Sequence, residues 1–166
     1  MLHSVSAAKP INQLDATDRR ILALLQEDAR LTNVELAEKV HLSPSPCLRR
    51  VRRLESSGVI RGYHAELDRR GVGLELTVFV GIKVERHHEE QANAFRHAVV
   101  QLPEVVTAHL VSGESDFLLQ VVVPSLSAYE AFLTGTLLRL PGVSDIRSNF
   151  AIQPLKEYGT LLLDHE

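Results

Sequence analysis

The chain has 166 residues, 45% apolar and 23% charged, the composition of an ordinary globular protein with one large or two small domains. No apolar run is long enough to span a bilayer, the N-terminus lacks a secretory leader pattern, and the lone Cys47 excludes an intramolecular disulfide, all of which fits the cytoplasm. The net charge of −3 is uneven: residues 1–70 carry 12 Lys and Arg against 9 Asp and Glu, residues 71–166 carry 6 against 12, so the front half is the one suited to a polyanion.

Residues 1–13 are small and polar and read as a disordered arm. Asp15 is a plausible cap for a first helix to about Glu27, with Asp18 in its first turn and Ile21, Leu24 and Leu25 as its apolar stripe. Thr32 and Glu35 form a capping box for a second helix whose apolar residues are Val34, Leu36, Ala37 and Val40. After a tight connection at His41-Leu42-Ser43, a third helix runs from Pro44 to about Ser57 and stops at Gly58, with Ser43 as its cap. Four arginines fall within five residues of it, and the spacing of Leu48, Val51 and Leu54 predicts one buried stripe with the arginines turned outward. A basic helix in the third position, after a tight turn, is a DNA-reading arrangement; a solvated basic face or a protein-binding three-helix bundle is the plainer alternative. Ser43 opens the helix. Ser45, Pro46, Arg49 and Arg50 are assigned nearest the bases, and Arg52, Arg53 and Arg61 to the phosphates. Cys47 reads as a packed small side chain.

Val59 to Leu67 reads as a strand leading out of this domain. Strands follow at Leu74 to Glu85, Val105 to Val111, Phe117 to Val123 and Ile146 to Ile152. Helices are expected over Glu89 to Leu102 and from a Ser127/Glu130 capping box to Leu140. The order βαββαβ is ferredoxin-like, and two helices on one sheet face leave the other for a second copy of the chain. The fold class is therefore α+β: a winged-helix-like helix-turn-helix domain (14–58), a strand linker (59–73), and a ferredoxin-like oligomerisation domain (74–166). The Gly113 turn exposes N–H groups suited to a carboxylate, and Asp116 could pair an ammonium; both residues could equally serve only the hairpin turn. None of the eight histidines stands in a catalytic spacing. His87-His88 lacks further metal-ligand partners and reads as a solvated turn.

The fragments Asp18-Arg19-Arg20-Ile21-Leu22, Thr32-Asn33-Val34-Glu35-Leu36-Ala37, Leu42-Ser43-Pro44-Ser45-Pro46-Cys47, Val51-Arg52-Arg53-Leu54-Glu55 and Gly58-Val59-Ile60, with Gly62-Tyr63, stand in the order found in the Lrp/AsnC (feast/famine) regulators, which the chain resembles. Gly113-Glu114-Ser115-Asp116-Phe117 resembles that family's Gly-x-x-Asp-Phe/Tyr turn, and Leu137-Leu138-Arg139-Leu140-Pro141-Gly142-Val143 resembles the Lrp branch. The resemblance implies dimers built through the sensor sheets, often assembled into octamers. It also implies a free amino-acid effector, leucine, methionine or another apolar one, bound between sensor domains. Its site would comprise Ser112, Gly113, Glu114, Ser115, Asp116, Thr134, Thr136, Phe150 and Ala151. No cofactor and no catalysis are implied. A DNA-wrapping protein that needs no ligand is the alternative reading.

Overall fold

The computed structural model describes residues 14–85 and 89–163; the expected arm at 1–13 and the His87-His88 turn lie outside them. The chain forms two compact units. Glu66–Leu155 is one, and the other runs to Ala65 and is rejoined by the chain at Lys156. No helix among the described residues is long and apolar enough to cross a membrane.

The first unit has three helices, α1 (Ala16–Glu27), α2 (Asn33–Lys39) and α3 (Pro44–Ser56). Asp15 and Asp18 cap α1 reciprocally, as Thr32 and Glu35 cap α2, so two orphan amides are satisfied at each start. The α2–α3 turn closes when Leu42 N–H donates to Ala37 C=O (2.9 Å) and His41 N–H to Glu38 C=O (3.1 Å). This Schellman pattern puts His41 in the left-handed region at φ 55°, where glycine is usual. Ile21, Leu36, Ala37, Cys47 and Leu54 are fully buried at the centre.

Three expectations are corrected here. Ser43 holds the cap position of α3 without a side-chain cap bond. Val34 is exposed. The stretch from Val59 to Leu67 forms no strand, because no backbone in the described chain pairs with it.

The second unit is an antiparallel sheet of β1 (Leu76–Val84), β2 (Val105–Leu110), β3 (Phe117–Val123) and β4 (Val143–Phe150), in the order β2-β3-β1-β4. With α4 (Glu89–Val99) and α5 (Leu126–Gly135) this is the expected α+β, ferredoxin-like arrangement. Val78, Val80 and Ile82 of β1 and Leu119 and Val121 of β3 meet Phe95, Tyr129 and Leu137 in one core. The alternate positions Phe79 and Leu118 are exposed on the opposite face. The cap of α5 is Ser125 rather than Ser127, its hydroxyl accepting from Ala128 N–H. This helix stops at Gly135, and a short 3-10 turn (Leu137–Arg139) replaces the rest of the expected helix.

Candidate functional site

A helix turns by about 100° per residue, so Cys47, Val51 and Leu54 point the same way, whereas Leu48 is displaced by a quarter turn. The structure follows this geometry. Cys47 and Leu54 are fully buried, Val51 packs against them, and Leu48 is exposed. The buried stripe is therefore Cys47-Val51-Leu54, and burial pushes the Cys47 thiol pKa up, leaving an inert packed side chain. Ser45, Leu48, Arg49 and Arg52 share the outward face at i, i+3, i+4 and i+7, and all four are exposed.

The arginines do not all face outward. One Nη of Arg50 lies 2.6 Å from Asp15 Oδ2 and 2.8 Å from Asp18 Oδ1, and an Nη of Arg53 lies 2.5 Å from Asp18 Oδ2. Asp18 is 1% exposed, so both guanidiniums are drawn onto α1 by a buried carboxylate. The Arg50 bond holds the Asp15 carboxyl below its ordinary range, with the Asp18 amide helping, and the two carboxylates raise Arg50 in return. Arg50, assigned near the bases, and Arg53, assigned to phosphate, thus both turn sideways into ion pairs with α1, while Arg53 keeps half of its side chain exposed. Pro46 is half-buried; Ser43 and Arg61 are exposed.

Two side-chain bonds hold α3 at its ends. Asn33 Nδ2 donates to Pro44 C=O (2.9 Å), and Tyr63 Oη donates to Glu55 Oε1 (3.0 Å). Burial, then the Glu55 bond, pushes the Tyr63 phenol pKa up to about 12. Asn33 and Tyr63 stood in the sequence only within family-like fragments, with no role assigned; the bonds join segments whose adjacency no periodicity reveals.

In the second unit, Ser112, Gly113, Glu114, Ser115 and Asp116 form the β2–β3 turn, closed by Val111 N–H donating to Asp116 C=O (2.9 Å). Gly113 needs to be glycine because its φ is 127°. Asp116 joins the turn to the end of β1: its N–H donates to Ile82 C=O (2.9 Å), and its Oδ2 accepts from Val84 N–H (3.1 Å). Glu114 pairs with Arg147 of β4.

Phe150 and Ala151 lie at the other end of β1, where Ala151 N–H donates to Thr77 C=O (3.0 Å) and Phe150 pairs with Val78. At about 3.3 Å per strand residue, Thr77 and Ile82 are about 16 Å apart, so one protomer does not bring Phe150 and Ala151 to the turn. Phe150 stacks edge-on against Tyr129, whose hydroxyl bonds Ser148 (2.5 Å) and whose pKa burial raises. Thr134 lies exposed near the end of α5, its hydroxyl donating to Glu130 C=O (2.9 Å), and Thr136 caps that helix. Among the described residues, no group of three or more His, Cys, Asp or Glu could hold a metal ion.

Residues 14–61 match a winged helix-turn-helix DNA-binding family, and residues 77–161 match the Lrp/AsnC ligand binding domain. The chain is 46% identical over 158 residues to the leucine-responsive regulatory proteins of Escherichia coli and Klebsiella pneumoniae, covering 95% of this chain and 96% of each relative. A transcriptional regulator of Neisseria meningitidis, solved as a complex with L-Met, superposes with TM-score 0.87 at 41% identity, covering 91% of this chain and 97% of that one. An AsnC family transcriptional regulator of Agrobacterium tumefaciens superposes with TM-score 0.85 at 41% identity, covering 90% and 97%.

Proposed function

Because the chain belongs to the Lrp/AsnC family of DNA-binding transcriptional regulators with an amino-acid-binding domain, we propose that α3 reads operator DNA while an apolar amino acid tunes its assembly. The protein is a regulator and not an enzyme. The observation that carries the DNA reading is the outward stripe of α3. Ser45 and Arg49 lie toward the helix N-terminus, where base edges are met. Arg52, with Arg61 beyond the helix, serves the phosphates. Leu48, absent from the sequence-based assignment, offers apolar contact to a thymine methyl.

The effector site we propose is built between protomers from the 112–116 turn of one and Thr134, Thr136, Phe150 and Ala151 of another. The separation of Phe150 and Ala151 from the turn along β1 supports a shared site over one within a single chain. Leucine and methionine are the favoured effectors, on the names of the relatives and of the L-Met complex. The exposed Phe79 and Leu118 support dimerisation through the uncovered sheet face, with higher rings built from such dimers. A regulator of this kind works where the genome is, in the cytoplasm.

The test is a thermal-shift screen of the pure protein against the common amino acids. Leucine or methionine at about a hundred times its dissociation constant should stabilise the protein by about 2.7 kcal/mol. A silent panel, with DNA binding intact, would replace this reading with a DNA organiser that needs no ligand.

A further inference from the structure

The acidic start of α1 and the basic centre of α3 form an electrically closed cluster, two carboxylates against two guanidiniums. Asp18 takes Arg50 on one oxygen and Arg53 on the other, while Asp15 takes Arg50 a second time. Asp18 is 1% exposed, yet the side chains of Arg50 and Arg53 remain 28% and 50% exposed. The carboxylates are fixed as well, since Asp15 and Asp18 also cap α1 through each other's amides (2.8 and 3.3 Å). Two planar guanidiniums converging on fixed acceptor oxygens is the geometry by which arginine takes phosphate.

We propose that Asp15 and Asp18 act as an internal stand-in for DNA phosphate. They occupy Arg50 and Arg53, orient α3 on α1, and leave Arg49 and Arg52 as the charges this helix gives to DNA. Every phosphate neutralised adds affinity that ignores sequence, so four free arginines in five positions would favour DNA of any sequence. Holding two of them inside the fold lowers that sequence-blind term and leaves base contacts to decide where the protein stays. Asp18 is on this account a positioning residue that raises specificity. The inference rests on the DNA-reading assignment of α3.

The test uses the full chain and a fluorescent 30-base-pair duplex of random sequence, with affinity measured against sodium chloride concentration. Arg52→Gln should flatten the logarithmic salt slope by about one unit, while Arg53→Gln should leave it unchanged. Asp18→Asn should steepen the slope by about one to two units and tighten binding at low salt. In the Asp18→Asn background, Arg53→Gln should then flatten it by about one unit. Should Asp18→Asn fail to fold, the contrast between Arg52→Gln and Arg53→Gln in the parent chain decides alone. Equal flattening by those two changes overturns the proposal, because Arg53 would then be spending its charge on phosphate. A parent chain that binds no duplex at any salt overturns the DNA-reading assignment, and the stand-in with it.

Discussion

Arginines at neighbouring positions of one helix have different work because the helix turns them to different neighbours. Arg49 has solvent before it, and Arg50 has Asp15 and Asp18. Replacing Arg49 by Ala should weaken binding to a selected operator more than binding to random DNA, read as the ratio of the two dissociation constants. Equal loss on both would remove Arg49 from the bases. The ion pair also titrates. The folded Asp15 carboxyl lies below its ordinary 3.8, so its contribution is complete above that value and is lost as pH falls through the lower folded value. Melting temperature should therefore drop more steeply below about pH 4 in the parent than in Asp15→Asn. In the core, Leu54→Ala should cost about 2–5 kcal/mol in denaturant unfolding, since its side chain is fully buried.

Elements whose signals are local were legible in the sequence. The starts of α1 and α2 are written in Asp15-x-x-Asp18 and Thr32-x-x-Glu35, each a pattern contained in one turn. The β3 span and the βαββαβ order follow from alternation and from turn residues. Elements that depend on distant partners were not legible. The stretch after Val59 has the composition of a strand but no ladder to join among the described residues, and two nearby serines could each cap α5, of which Ser125 does. Leu48 was misread because a three-residue spacing drifts around a helix, while Cys47 lies directly under Val51 and Leu54. The ion pairs of Arg50 and Arg53 link residues more than thirty positions apart, beyond any local pattern. The left-handed His41 gives a test at this scale. His41→Gly removes the Cβ penalty at φ 55° and should raise stability by about 1 kcal/mol in denaturant unfolding, with the fold unchanged. A destabilised variant would mean that the His41 side chain contributes more than its backbone costs.

Across the whole molecule, function requires that occupancy of the sensor unit change the affinity of the helix-turn-helix unit for DNA. Linkage makes that coupling reciprocal, so an effector that weakens DNA binding is itself bound more weakly by the DNA complex. Asp116 bears on this link. Its carboxylate holds Val84 N–H, so Asp116→Ala would disturb the turn as well as any ligand. Asp116→Asn keeps an acceptor for that amide and removes only the charge. It should leave a cooperatively folded protein while abolishing stabilisation by the amino acid. Full retention of that stabilisation would take Asp116 out of the effector site.

The most direct measurement is a titration of the full-length protein into a labelled operator duplex, selected from a random pool, with and without saturating leucine or methionine. A selective complex whose apparent dissociation constant shifts about 5- to 150-fold with one of these amino acids is the predicted result. Binding that neither prefers the selected duplex nor responds to either amino acid would contradict the account.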